Sequence, residues 1–197
     1  MFSFLEKYKL LFKYQYAFRA GYSTALALME MTDYLKKELN LGNYIATLFI
    51  DLKKAFDTVD HSILLYKMKH YGIRGHANSF FQSYLNNRKQ FVHCNDVNSD
   101  TNEITCGVPQ GSILGPTLFL LYVNDMFRCV DVDSLRLFAD DTICMTPGKN
   151  LNQIMSKMKN NLTNLKIWFD SNKLTLNLTK TFYSIFHSKS KRLQSCE

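Results

Sequence analysis

The chain has 197 residues, a formal net charge of +7 and 46% hydrophobic residues. This length fits one domain, or one domain plus a fragment of another, and the composition favours a packed core over an intrinsically disordered chain. The five cysteines form no C-x-x-C pair and no regular spacing, which argues against a disulfide framework or a zinc site. They predict reduced, mostly buried thiols in an intracellular protein of the cytoplasm or the nucleus.

The charge is unevenly distributed along the chain. Residues 1–148 contain fifteen Lys/Arg and fifteen Asp/Glu, whereas residues 149–192 contain nine Lys/Arg and the single acid Asp170. This basic C-terminal third predicts either an anionic partner such as nucleic acid or a solvated, lysine-rich helix face. No stretch has the pattern of a signal peptide or the length of a membrane span, so no membrane partner is expected.

The first half of the chain predicts a helix, a buried strand and a second helix. "RAGYST" supplies a glycine turn and a Ser/Thr cap before a helix from Ser23 to Leu39. "YIATLFIDL", residues 44–52, is nearly continuous and apolar, which is typical of a strand buried on both faces. "DTVDHSILLYKMKHYGI" then predicts a helix that is capped by Asp57 or Asp60 and ends at Gly72.

The second half predicts further helices and strands. "SFFQSYLNNR" reads as a short helix, and "KQFVHCND" with "NEITCGV" reads as a pair of strands. A buried helix over 117–127 is expected, then a hairpin over 134–146, and an amphipathic helix from Leu151 to Trp168. "KLTLNLTKTFYSIFH" predicts two short strand-like runs. This order predicts an α+β domain over 1–187, with helices on one face of a mainly antiparallel sheet, and a disordered tail over 188–197.

Three acids stand out by their surroundings. Asp51 ends the buried strand, and Asp140 and Asp141 lie at the tip of the predicted hairpin. An Asp-Asp pair at a hairpin turn is usually a solvated turn, which is the alternative interpretation. If the two strands are neighbours, the three carboxylates converge and favour hard cations, above all Mg²⁺. Two such ions suit displacement at phosphorus, although a water-activating hydrolase could use the same acids.

Five ordered motifs resemble those of reverse transcriptases. "FIDLKKAFDTVDH", "GVPQGSILGPTLFLLYVNDM" and "LRLFADDTICMT" resemble motifs A, B and C of that family. "YQYAFRAGYST" and "NKLTLNLTKT" resemble the upstream segment and motif D of non-LTR (LINE-like, Jockey-type) retrotransposon polymerases. The resemblance runs from Gln15 to Thr181. It implies the palm of a right-hand polymerase with partial fingers, and RNA-directed DNA polymerase activity.

The resemblance implies a role for each acid and a set of partners. Asp51 and Asp140 would bridge two Mg²⁺ ions, for which Mn²⁺ can substitute, and Asp141 would complete one of the two sites. The backbone carbonyl of Leu52 would be a further metal ligand. The implied partners are an RNA template, a DNA primer and a deoxynucleoside triphosphate (dNTP), with an endonuclease domain encoded by the same element.

Other motif residues have an implied role and a plainer alternative. Phe56 would lie under the incoming sugar and exclude a 2′-hydroxyl, or would be an ordinary core residue. Gln110 and Gly111 would face the nucleotide, and they also fit a Gly/Pro turn before a buried helix. Lys180 resembles the motif D lysine that protonates pyrophosphate, and a solvated lysine is the alternative.

The chain also departs from the family pattern. Ala17 stands where the family usually has glycine, and it would be strained if that position required a positive φ. Arg19 is expected to form an ion pair that stabilises the fold, and the alternative is a contact with phosphate or the template backbone. An earlier fingers segment and a helical thumb are expected to be missing. Two alternatives stay open: a group II intron-type polymerase, which more often has "YADD", and a catalytically idle remnant that binds RNA through its basic C-terminal third.

Overall fold

The computed structural model describes residues 1–188, so the predicted tail lies almost wholly outside the described residues. The helices are α1 (Phe2–Lys7), α2 (Thr24–Asn40), α3 (His61–His70), α4 (Gly75–Leu85), α5 (Leu114–Val123) and α6 (Leu151–Ser171). The strands are β1 (Tyr44–Ile50), β2 (Arg88–Gln90), β3 (His93–Cys94), β4 (Val97–Asn98), β5 (Asn102–Ile104), β6 (Leu135–Phe138), β7 (Asp141–Gly148) and β8 (Phe182–Phe186). Short 3₁₀ turns follow at Ala55–Asp57, Asn124–Cys129 and Val132–Ser134.

A four-stranded antiparallel sheet forms the centre of the domain. Its strand order is β6-β7-β1-β8. The register pairs Ile50 with Thr142 and Leu48 with Cys144, so the C-terminal end of β1 lies beside the N-terminal end of β7. The strands that carry Asp51 and the Asp-Asp hairpin are therefore direct neighbours, which is the condition for the three acids to converge.

Helices cover both faces of this sheet rather than one. Alternate side chains of β7 point towards α6, where Nδ2 of Asn161 donates a hydrogen bond to Oγ1 of Thr146 at 3.1 Å. On the opposite face, the guanidinium of Arg136 on β6 lies 5.3 Å from the ring centre of Tyr34 on α2. The expectation of helices on one face is wrong, because a sheet that is apolar on both faces needs cover on both. Its burial pattern agrees: Ile45 and Ala46, which point to opposite faces of β1, are both fully buried.

Most predicted elements are confirmed, with shifted boundaries. Ser23 caps α2 by accepting a hydrogen bond from the Leu26 amide, and Asp60, not Asp57, caps α3. Helix α5 begins three residues earlier than expected, because the first turn of a helix tolerates Pro116. The first of the two final strand-like runs is not a strand. Within it, Leu176 makes an isolated bridge to Leu52.

Three local expectations are tested by the backbone, by an ion pair and by burial. Positive φ occurs at Phe18 (+55°) and not at Ala17, so alanine carries no strain at that position. The Arg19 ion pair is confirmed by a contact of 2.8 Å between its Nε and Oε1 of Glu6. Of the four cysteines within residues 1–188, all are free and only Cys144 is buried, so the expectation of mostly buried thiols is wrong.

No helix within residues 1–188 combines the length and the apolar character needed to cross a membrane.

Candidate active site

Asp51 directly follows β1, and its surroundings come from the segment before β8. The backbone carbonyl of Asp51 accepts a hydrogen bond from the Asn177 amide at 2.9 Å. Nδ2 of Asn177 also donates to Oδ2 of the Asp51 carboxylate at 2.6 Å. One asparagine therefore fixes both the backbone and the side chain of Asp51, so its carboxylate is oriented before any ligand binds.

Asp140 and Asp141 lie at the tight hairpin that joins β6 to β7. Phe138 pairs with Asp141, which leaves Ala139 and Asp140 as the turn residues. Ala139 has a φ of +56°, a left-handed conformation that costs a non-glycine residue about 1–2 kcal/mol. Such a turn needs contacts outside the hairpin to hold it in place.

Gln15 supplies one of those contacts. Its side chain is 1% exposed, and Oε1 accepts hydrogen bonds from the backbone amides of Ala17 at 3.0 Å and Ala139 at 3.1 Å. The backbone of the same segment pairs with β6, because the Tyr16 amide donates to the Leu137 carbonyl at 2.9 Å. The segment "YQYAF" therefore holds the hairpin that carries the two acids.

Electrostatics show that the three acids lie near one another. The pKa of Asp141 is raised, first by burial and then by the negative charges of Asp140 and Asp51. Lys180 opposes this shift, so its ammonium also lies within electrostatic range of Asp141. Asp51, Asp141 and Lys180 line one open cavity of about 550 Å³, which also borders Phe49 and Phe182. The structure brings Asp51, Asp141 and Lys180 to one cavity at the edge of the sheet, and Asp140 lies in the adjacent turn.

The donor set fits a hard divalent cation, although the side chains are not yet gathered around one. Carboxylate oxygens are the ligands that Mg²⁺ and Mn²⁺ prefer, and mutual repulsion at Asp141 is what a bound cation would relieve. Within residues 1–188, no three His, Cys, Asp or Glu side chains are close enough to hold a metal ion as they stand. Of the two Asp51 carboxylate oxygens, Oδ2 accepts the hydrogen bond from Asn177, which leaves Oδ1 to bind a metal ion.

The Leu52 carbonyl is compatible with its predicted ligand role. Leu52 forms a bridge with Leu176, and the hydrogen bonds of this bridge use the Lys53 amide and the Asp51 carbonyl. The Leu52 side chain is 5% exposed and packs into the core. The Leu52 carbonyl thus lies outside the bridge, one residue after Asp51.

Phe56 lies at the boundary between the core and the surface. Its ring stacks on the buried ring of Phe119, with centroids 4.2 Å apart and an interplanar angle of 19°. The ring of Phe18 approaches it edge-on at 6.2 Å. Phe56 is half-buried, so it both packs against the core and presents part of its ring outside it. A contact with a sugar stays a prediction.

The motif B loop is tied to the segment that carries Phe56. The Gly107 amide donates to the Val59 carbonyl at 2.8 Å, and the Val108 amide donates to the Phe56 carbonyl at 2.9 Å. The carbonyl of Gly107 in turn accepts a hydrogen bond of 2.7 Å from Nε2 of the buried His61. These bonds fix the position of the loop relative to the turn after Asp51.

Gln110 and Gly111 lie on the exposed part of this loop. Nε2 of Gln110 donates to Oδ1 of Asp57 at 2.8 Å, and Gln110 borders an open cavity of about 590 Å³. Two cations, Lys54 and Arg88, line the same cavity together with two acids, Asp57 and Glu103, so its formal charge is balanced. Gly111 has a φ of +77° and open space around it. Both residues can approach a ligand, and their predicted nucleotide contacts stay predictions.

Sequence reasoning did not identify Asn177 and Gln15 as site residues. Both lie inside motifs that the resemblance had marked, "NKLTLNLTKT" and "YQYAFRAGYST". In the sequence, each is a polar residue with apolar neighbours inside such a motif, and this pattern could have indicated a site residue. Their partners, Asp51 and Ala139, are 126 and 124 residues away, so no local pattern predicts the contacts.

The family model described as "Reverse transcriptase (RNA-dependent DNA polymerase)" matches residues 2–193. The chain belongs to the reverse transcriptase family. Among curated relatives, the RNA-directed DNA polymerase from mobile element jockey of Drosophila melanogaster is 29% identical over 85% of this chain and 19% of the relative. The probable polymerase from transposon X-element of the same species is 33% identical over 68% of the chain and 15% of the relative. The resemblance to non-LTR retrotransposon polymerases is thereby confirmed.

Solved telomerase structures share the fold of this reverse transcriptase chain. Apo telomerase from Candida tropicalis, truncated from its C-terminal domain, matches with a TM-score of 0.67 at 14% identity, over 96% of this chain and 40% of that one. Telomerase from Candida albicans in complex with a TWJ fragment of telomeric RNA matches with a TM-score of 0.69 at 16% identity, over 93% of this chain and 33% of that one. The palm-like fold is confirmed. The chain spans about a fifth of the length of the curated relatives it matches.

Proposed function

We propose that this chain is the palm and partial fingers, over residues 1–187, of a non-LTR retrotransposon polymerase that adds dNTPs to a DNA primer on an RNA template. The observation that carries the proposal is the pairing of Ile50 with Thr142, which places Asp51 beside the Asp140-Asp141 hairpin, with Asp51 and Asp141 lining one cavity. The carboxylates of motif A and motif C therefore lie within electrostatic range of one another at the edge of the sheet. This arrangement suits metal-assisted phosphoryl transfer. The match to the reverse transcriptase family supports the same reaction.

Reverse transcriptases use divalent metal ions, and the proposed ligands here are Asp51, Asp140, Asp141 and the Leu52 carbonyl. Two Mg²⁺ ions, or Mn²⁺ in their place, would lower the pKa of the primer 3′-hydroxyl and neutralise charge on the triphosphate. Asn177 holds Asp51 in place and Gln15 holds the turn beside Asp140, so the protein contributes preorganisation of the ligands. The proposed proton donor to the departing pyrophosphate is Nζ of Lys180, which already lies within electrostatic range of Asp141.

The nucleotide would lie between the two motifs that are hydrogen-bonded together after β1. Phe56 would contact the sugar with the part of its ring that does not pack on Phe119. Gln110 would exchange its bond to Asp57 for one to the nascent base pair. In the same charge-balanced cavity, Lys54 and Arg88 would contact the phosphates of the template or the nucleotide.

Single-nucleotide addition tests this proposal. A labelled DNA primer is annealed to an RNA template, and the chain is incubated with each dNTP separately in Mg²⁺ and in Mn²⁺. We expect addition of the complementary nucleotide only, with loss of activity in Asp140→Asn. Asp133→Asn is the matched control, since it removes the same charge from an acid that pairs with Lys13 elsewhere. Addition that ignores the template base, or that survives Asp140→Asn, would contradict the proposal.

A further inference from the structure

We propose that Lys69, His70 and Arg74 form a second RNA-binding site, at the junction of α3 and α4, that holds the phosphate backbone of a single-stranded RNA. The inference deepens the proposed function, because it takes RNA as the partner. It concerns a surface that none of the five motifs includes. Its test reads RNA binding and does not depend on polymerisation.

The first argument is the charge of the segment. Residues 61–95 contain no Asp or Glu, but they contain five Lys/Arg and four His. Of these, Lys67 is buried and paired with Asp125 at 2.7 Å. Neither Lys69 nor Arg74 forms an ion pair with any carboxylate in the described part of the chain. The two cations therefore lack a protein counter-charge.

The second argument is the shape of the surface. An open cleft of about 490 Å³ separates the end of α3 from the start of α4. Nε of Arg74 donates a hydrogen bond of 2.9 Å to the Lys69 carbonyl, which keeps the two cations on one side of the cleft. The other side offers neutral polar side chains from α4: Asn78, Ser79 and Gln82. A concave, cationic surface with neutral polar groups opposite suits a phosphodiester backbone.

The third argument is an aromatic platform beside the cleft. The Tyr66 ring lies 4.4 Å from the His70 ring, and Tyr66 is 64% exposed. Bases of single-stranded nucleic acids stack on such exposed rings while nearby cations bind the phosphates. An acidic peptide would contact the cations without requiring an exposed ring for stacking, so the combination of ring and cations favours RNA.

The cleft and the motif B loop lie at opposite ends of α3. His61, at the start of this helix, contacts Gly107 of that loop, and the ten-residue helix is about 15 Å long. At a rise of about 3.4 Å per nucleotide, this distance corresponds to about four nucleotides of a stacked strand. One RNA strand can therefore contact both sites.

The test is equilibrium binding of a fluorescein-labelled 20-nucleotide oligo(U) RNA, followed by anisotropy over a range of KCl concentrations. The variant combines Lys69→Glu with Arg74→Glu. The matched control combines Lys36→Glu with Lys37→Glu, which makes the same charge change at exposed positions of α2. We expect the cleft variant to lose at least tenfold in affinity and the salt slope to fall by about 1.4, or about 0.7 for each lost phosphate contact. The control should lose less than threefold.

Equal losses in both variants would overturn the proposal, because only net charge would then matter. Displacement of the RNA by poly-glutamate at an equal charge concentration would also overturn it, in favour of an acidic peptide. If the cleft variant does not fold, a measurement on the unaltered chain still tests the proposal. Ultraviolet crosslinking of a 4-thiouridine oligonucleotide should mark peptides within residues 66–82, and crosslinks confined to other segments would overturn the site.

The outcome is separable from that of the proposed function. The cleft variant leaves Asp51, Asp140 and Asp141 unchanged, so its Mn²⁺ binding should equal that of the unaltered chain. Failure of RNA binding at the cleft would leave the metal-binding result intact, and the reverse also holds.

Discussion

Gly107 lies so close to the backbone of Asp57 that adding a single methyl group should destabilise the fold around the motif B loop. A Cβ at this residue would lie 2.7 Å from the Asp57 carbonyl oxygen and 3.0 Å from the carbonyl carbon. The residue also has a φ of +86°. The left-handed conformation costs alanine about 1 kcal/mol, and overlap with a packed backbone adds about 1–3 kcal/mol. Gly107→Ala should therefore lower the free energy of unfolding by about 2–4 kcal/mol.

Gly111→Ala is the matched control in the same loop. Gly111 has a similar φ of +77°, but nothing lies within 4 Å of an added Cβ. It should lose only about 1 kcal/mol, since the conformational cost stands alone. Urea unfolding of both variants measures the difference. Equal losses would refute the reasoning, because they would show that the loop does not approach Asp57 closely or yields without cost.

Three further predictions concern the acids, the hairpin turn and the ring at the edge of the core. The raised pKa of Asp141 means that the folded state binds its proton more tightly, so the free energy of unfolding falls as pH rises from the unfolded pKa, about 3.9, through the folded one. Without metal, Asp141→Asn should be more stable than the unaltered chain at pH 7. The gain should be less than about 1 kcal/mol, because the carboxylate is partly solvated. Urea unfolding at a series of pH values should show that the gain disappears on acidification. Gln15→Leu should lower the free energy of unfolding by about 1–3 kcal/mol, because the buried Ala139 amide loses its hydrogen-bond acceptor. It should also weaken Mn²⁺ binding, whereas Gln15→Glu keeps the acceptor. Unchanged Mn²⁺ affinity in Gln15→Leu would assign Gln15 a purely structural role. Phe56→Val should raise the ratio of ribonucleotide to deoxynucleotide incorporation, and an unchanged ratio with lower stability would assign the ring to the core.

The sequence predicted the sheet because its strands carry strong local patterns. The continuous apolar run of β1 and the alternation around Asp140 were sufficient to predict two strands of one sheet, and the register shows that these strands are neighbours. Residue types alone could not decide between a solvated turn and a metal site. The order of five motifs made the second interpretation the stronger one, and the family match agrees with it.

The contacts that orient the acids could not be predicted, because each joins residues far apart in sequence. Asn177 on Asp51 and Gln15 on Ala139 depend on how loops pack against strand ends. The position of α2 was also missed. Its own periodicity does not show which face of the sheet it covers, and the contact between Tyr34 and Arg136 reveals this only in three dimensions.

The central claim is that Asp51, Asp140 and Asp141 together bind the divalent metal that phosphoryl transfer requires. Electron paramagnetic resonance of free and bound Mn²⁺ measures this directly on the unaltered chain and on single Asp→Asn variants. We expect Asp51→Asn and Asp140→Asn each to weaken Mn²⁺ binding at least tenfold. Asp133→Asn removes the same charge at an exposed site and should leave Mn²⁺ binding unchanged. Mn²⁺ binding that is equal in all three variants and in the unaltered chain would contradict the central claim.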